Sequence, residues 1–221
     1  MQAAVVSGRR IYPRKILVIL IFGVMAVLSV FICVGIGTVS FSLEEVFRAL
    51  FIADDSTARL LIWNIRFPRI LVGGLVGLCL SLAGCILQGV MRNTMASPST
   101  IGVTSGASFV GYLVLVVFPS YYYLLPIGSI VGAFVTTMLI YALAYQKGVS
   151  PVKMILSGMA VSALFGAFND IIKTFFADAL GNASGFLVGG LNGTGWDSLT
   201  MMLPYAVAGI LVCAFLPAKM N

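Results

Sequence analysis

Six long apolar stretches, separated by short polar or charged intervals, set the rhythm of this chain: Ile16–Ile36, Ile70–Met91, Ile101–Phe118, Leu124–Tyr145, Met154–Ile172 and Leu199–Leu216. Only the fifth contains a charged residue, Asp170. Each is near the roughly 20 apolar residues that a helix needs to cross a bilayer. The stretches are continuously apolar rather than alternating with period two, which disfavours the strands of a membrane barrel. The pattern therefore predicts an all-α integral membrane protein, a polytopic bundle of about six transmembrane helices.

Composition strengthens this reading. Hydrophobic residues make up 60% of the chain, charged residues 9%, and mean hydropathy is +1.09. A soluble domain would carry roughly a quarter charged residues. The first stretch follows Arg9, Arg10, Arg14 and Lys15 and so has the flank of a signal peptide. It is longer than the ~7–15 apolar residues of a signal core, and no small-residue cleavage site follows it. It is expected to be a retained span, with residues 1–15 as a cytoplasmic N-terminal tail and 16–221 as the transmembrane domain.

Six spans from a cytoplasmic start put eight of the Lys and Arg residues inside, and five, with all seven acids, outside. That is the bias topology rules demand, and it makes both termini cytoplasmic. The net charge of +6 is thus dispersed over loops and span ends, which argues against nucleic acid as a partner. Cys33, Cys79, Cys85 and Cys213 lie in apolar stretches without CxxC spacing, and the chain has no histidine. They read as reduced, buried packing residues.

Two segments carry denser information. Arg66–Ser108 joins an arginine pair, a small-residue helix, the polar elbow Arg92–Thr100 and a glycine-opened apolar run. In one register it holds Arg66, Pro68, Arg69, Gln88, Arg92, Asn93, Ala96, Pro98, Gly102, Val103, Ser105, Gly106 and Ala107. Met154–Trp196 holds Gly158 and Ala160–Phe165, then Leu187, Gly189, Leu191, Gly193 and Trp196. Both resemble the permeases of type II ATP-driven importers, the FecCD-like family that carries iron-siderophore, haem and cobalamin. Thr94 stands where the family usually has proline, Phe186 where it has tryptophan, and Gly190 where it has serine.

Several residues become candidates. Arg66 and Arg69 are expected at the outer mouth of the second span, against the positive-inside trend. Interfacial snorkelling or pairing with Asp54 and Asp55 would explain them. The resemblance implies instead that they grip acidic groups on a substrate-binding protein, for which a planar guanidinium fork is suited. Gly73, Gly77, Ser81, Cys85 and Gly89 recur every four residues and form a column of small side chains suited to close helix packing. Gly102/Gly106 and Gly128/Gly132 repeat that spacing. Pro98 should stop any helix through the elbow, and Ser97 or Ser99 could cap the next one. Asn169, Asp170 and Lys173 form the one strongly polar cluster inside an apparent span, either lining a pathway or anchoring at the interface. Tyr121–Tyr123 reads as an interfacial belt and Phe186–Leu191 as a short surface helix.

No GxxxxGK[ST] loop, metal-ligand cluster or nucleophile–base pairing occurs, so neither an enzyme nor a bound cofactor is expected. The resemblance implies a permease subunit in a bacterial cytoplasmic membrane, importing an iron-siderophore or a haem- or cobalamin-type chelate. Its partners would be a second permease copy, cytoplasmic ATPase subunits, an extracytoplasmic binding protein and lipid. Family members have about ten spans and a coupling loop after the sixth, near where this sequence stops at Asn221. The chain is therefore expected to be a fragment, a split gene product or a non-transporting relic or scaffold.

Overall fold

The structure, a computed structural model, describes residues 13–37, 39–52, 56–145, 150–181, 185–186 and 189–215. Their regular structure is helical. Two compact units divide the chain, residues 1–70 and 71–221.

The first unit opens with α1 (Pro13–Gly35), apolar from Ile16 onward, whose side chains face outward except in its last turns, where Val34 is buried. A short turn leads to α2 (Leu43–Phe51). Its start is fixed by a capping box: the Ser42 hydroxyl accepts from the Glu45 amide at 3.3 Å, and the Ser42 amide donates to the Glu45 carboxylate at 2.8 Å. Two otherwise orphaned donors are thereby satisfied reciprocally. Hydrogen bonds from the Ser42 backbone, then from its hydroxyl, hold the Glu45 carboxyl below its ordinary pKa. After α3 (Thr57–Leu61), a π-helical turn spans Ile62–Arg66 and runs into α4 (Phe67–Met91). Val34, Val46, Ala49 and Ile62 form the core of this unit.

Within the second unit, α4 leads to the elbow, then α5 (Val103–Val117), α6 (Leu125–Ala144), α7 (Pro151–Phe175), the short α8 (Ala177–Leu180) and α9 (Trp196–Phe215). α5 packs on both α6 and α7. One core cluster is built on Tyr112, Leu115, Leu125, Ile172 and Leu180, and another on Met91, Ala96, Ile101, Ile140 and Val161. Gly102, just before α5, is pressed against α7. Its φ is +89°, and a Cβ there would meet the Ser162 hydroxyl and lie 2.7 Å from the Gly158 carbonyl oxygen, so only glycine fits.

Five helical segments are long and apolar enough to cross a membrane: Arg14–Gly35, Thr57–Met91, Tyr122–Ala144, Pro151–Phe175 and Trp196–Phe215. The third predicted span differs, because α5 has only 15 residues. At 1.5 Å per residue that is about 22 Å. The elbow differs in its capping too. Gly102, in the left-handed conformation, is the N-cap of α5, and no side chain caps it. Ser97 instead closes the preceding turn, its hydroxyl accepting from the Thr100 amide at 3.1 Å. The cysteines are free, as expected, but Cys33 and Cys85 are exposed rather than buried. The predicted Phe186–Leu191 helix falls partly outside the described residues, at Leu187 and Val188.

Candidate functional site

The arginine pair sits where the π-helical turn meets α4. A π turn accommodates one extra residue and re-aims the side chains that follow it. Here it directs the Arg66 guanidinium at the C-terminal end of α1. Nη1 donates to the Val34 carbonyl at 2.7 Å and to that of Gly35 at 3.4 Å, and Nη2 donates to Val39. The Phe41 ring lies 4.8 Å from the guanidinium carbon. Gly37 leaves the space this needs, since a Cβ there would lie 2.8 Å from Nη2. A helix C-terminus carries unsatisfied carbonyls and partial negative charge, both of which a guanidinium answers. Arg69 is half-buried, with its Nε enclosed and without a hydrogen-bond partner. Asp54 and Asp55, the expected neighbouring acids, lie outside the described residues.

The structure separates Asn169 from Asp170. Asn169 is buried against α5, its Nδ2 donating to the Ser105 carbonyl at 3.2 Å. Its Oδ1 is buried without a partner. Asp170 points away, three-quarters exposed, and accepts from Lys173 Nζ at 3.0 Å. Lys173 also lies 5.7 Å over the Tyr112 ring. One residue of helix rotation thus puts an amide inside the bundle and a carboxylate outside it.

The small-residue column on α4 stands largely open. A Cβ at Gly73 would come within 3.1 Å of Leu191, but one at Gly77 would meet nothing within 4 Å. Ser81, Cys85 and Gly89 are exposed. The tight crossing lies instead between α5 and α6. A Cβ at Gly106 would collide with Thr136, and one at Gly132 would lie 2.6 Å from the Gly106 carbonyl oxygen.

Sequence reasoning did not single out a polar cavity of about 880 Å³ lined by Ser108, Tyr122, Phe186, Asn192, Thr194 and Ser198. Neutral hydroxyl and amide groups share its walls with the Phe186 ring, on α5, the turn before α6, the segment before α9 and the first turn of α9. The signal lay in the density of glycine and polar residues between Gly185 and Gly195. An apolar groove of about 350 Å³ lies between α4, α6 and α9, lined by Cys79, Ile130, Met202, Tyr205 and Cys213 among others. Among the described residues no group of His, Cys, Asp and Glu could hold a metal ion.

Comparison with known proteins agrees with this arrangement. The Fe(3+)-citrate import system permease protein YfmE of Bacillus subtilis is 32% identical over 92% of this chain and 62% of its own length. The cobalamin import system permease protein BtuC of Halobacterium salinarum is 35% identical over 75% of this chain and 45% of its own. A solved inward-facing structure of a putative metal-chelate type ABC transporter superposes with a TM-score of 0.69 at 28% identity, covering 86% of this chain and 59% of that one. The chain spans about six-tenths of the length of YfmE and of the Fe(3+)-citrate import system permease protein YfmD of the same organism. Residues 25–221 match the FecCD transport family, and the chain belongs to it.

Proposed function

We propose that this chain forms part of the membrane-spanning permease of an ATP-binding-cassette importer for a bulky metal chelate. Iron-siderophore is the preferred cargo, and haem and cobalamin belong to the same class. The observation that carries this reading is the family match over residues 25–221. The chain is a multi-pass protein of the cytoplasmic membrane, and it has no phosphate-binding loop of its own. Energy would come from separate cytoplasmic ATPase subunits, cargo from an extracytoplasmic binding protein, and a second permease copy would complete the path.

Within that reading the polar residues divide their roles. Docking of an acidic surface on the binding protein is assigned to the arginine pair, with Arg69 making the contact. Support comes from its unpartnered Nε and from the bonds that engage Arg66 elsewhere. A pathway role is better supported for Asn169, whose Oδ1 is buried and unsatisfied, than for Asp170, whose pairing with Lys173 suits an interfacial anchor. The open column Gly77, Ser81, Cys85 and Gly89 is suited to receive a further helix.

The test is uptake of radiolabelled iron, given as defined siderophore chelates, by cells lacking the gene. Uptake should fall in the deletion strain and return with the wild-type gene. Arg69→Glu should insert into the membrane normally yet fail to restore uptake. Undiminished uptake of iron, haem and cobalamin in the deletion strain would refute the reading. A chain that inserts without restoring any of them would favour a non-transporting scaffold.

A further inference from the structure

The helix α2 has three faces where an ordinary surface helix has two. Val46 and Ala49, at most 2% exposed, face the core with Val34 of α1 and Ile62. Glu44 and Arg48 form an exposed ion pair of 2.8 Å on a second face. Leu43, Phe47 and Phe51 occupy a third, within an arc of about 80° at the ~100° per residue of an α-helix. They are 75%, 57% and 66% exposed, and the two phenylalanine rings touch at a tilt of 38° with centroids 4.7 Å apart.

We propose that this third face is seated in the lipid bilayer, making α2 an interfacial helix at the end of α1 remote from the N-terminus. Continuity with a lipid-facing surface identifies the occupant. α1 is long and apolar enough to cross a membrane, and Ile32 in its last turn and Ile36 just beyond its end are 54% and 70% exposed. The core cluster joins α2 to the last turns of α1, at Val30, Phe31 and Val34. The Phe41 amide donates to the Gly35 carbonyl at 3.0 Å, and Arg66 holds Val34, Gly35 and Val39. The connection is therefore tied down, and α2 is kept at the level where α1 leaves the hydrocarbon. There an amphipathic helix lies flat, with its apolar side chains in the boundary between headgroups and acyl chains and its charges towards water. The Glu44–Arg48 edge supplies those charges.

A protein partner fits less well. Aromatic side chains bury about 150–250 Å² each, so this stripe offers less than the roughly 800 Å² that each side of a standard interface contributes. The proposal concerns the first unit alone and does not depend on what the chain transports.

The experiment uses the full chain in phospholipid vesicles, with Cys33, Cys79, Cys85 and Cys213 replaced by serine. Single nitroxides are placed through Leu43→Cys, Glu44→Cys, Phe47→Cys, Arg48→Cys and Phe51→Cys. Labels at 43, 47 and 51 should collide several-fold more with oxygen than with a water-soluble nickel chelate, and labels at 44 and 48 the reverse. Nickel reaching 47 and 51 as readily as 48 would overturn the proposal. So would labels at 47 and 51 shielded from both reagents with dipolar broadening, the signature of a second copy covering them. Because cysteine at these positions alters the stripe, the unsubstituted chain is also photolabelled with a phospholipid bearing a diazirine near the top of its acyl chain. Adducts should map to Phe47 and Phe51, and their absence while α1 is labelled would overturn the assignment.

Discussion

Arg66 and Arg69 stand three residues apart in one motif, yet they do different physical work. Arg66 donates to the carbonyls of Val34, Gly35 and Val39 and so closes the end of α1 over the turn leading to α2. Arg→Met would keep much of the apolar stem and remove every donor. Leaving partly buried carbonyls unpaired costs about 1–3 kcal/mol. The Arg66→Met protein should therefore show hydrogen exchange of the Ile36 and Phe41 amides accelerated by about tenfold, a change of ~1.4 kcal/mol. Arg69→Met should leave those amides as they were. Equal protection in wild type and Arg66→Met would remove the capping role. Asn169 and Asp170 divide in the same way, because adjacent positions on a helix are about 100° apart. A motif read along the sequence groups neighbours that the helix then sends in different directions.

Among the elements, glycine spacing identified helices able to pack closely, but not which of them do. The α4 column and the Gly102/Gly106 pair share one spacing. Gly102 presses on α7, Gly106 on α6, and Gly128 and Gly132 of α6 both press on α5, whereas in the α4 column Gly73 meets Leu191 and Gly77 meets nothing. Gly106→Leu should force α5 and α6 apart, as overpacking does at about 1–3 kcal/mol. Gly77→Leu meets nothing within 4 Å and should stay within about 0.5 kcal/mol. Apparent melting temperatures in detergent should fall by several degrees for the first and be unchanged for the second. Equal values would show that the α5–α6 seam does not hold this unit together. The long helices were legible because each is a continuous apolar run; no helix runs through the elbow that holds Pro98, but α4 already ends at Met91, before the left-handed Arg92. The short α2 was not legible, because its nine residues mix two apolar stripes with a charged edge and fit neither a span nor a loop. The Asn169–Ser105 bond left no local signature, since its partners stand 64 positions apart in sequence. The polar cavity was hidden for a similar reason, its wall being assembled from α5 and residues some eighty positions later.

At the scale of the whole molecule the question is whether α5 crosses the bilayer. Its 15 residues give about 22 Å, less than the ~30 Å hydrocarbon core. Two observations favour a crossing. Gly106, Gly111, Tyr112 and Leu115 are buried against neighbouring helices, so α5 is shielded and its ends need not reach the headgroups as a lipid-exposed helix must. The charges are the second. If α5 crosses, eight Lys and Arg residues lie on the N-terminal side of the membrane and five on the other; if it does not, the split becomes six and seven. Only the crossing preserves the positive-inside bias, and it also sets Tyr121–Tyr123 at the opposite face from the elbow, as an aromatic belt requires. In a chain without its native cysteines, Asn93→Cys in the elbow and Tyr122→Cys after α5 should therefore react with an impermeant maleimide from opposite sides of sealed vesicles. Reaction from the same side would mean that α5 is re-entrant. Every charge after it would then change sides, and both termini would no longer face the cytoplasm.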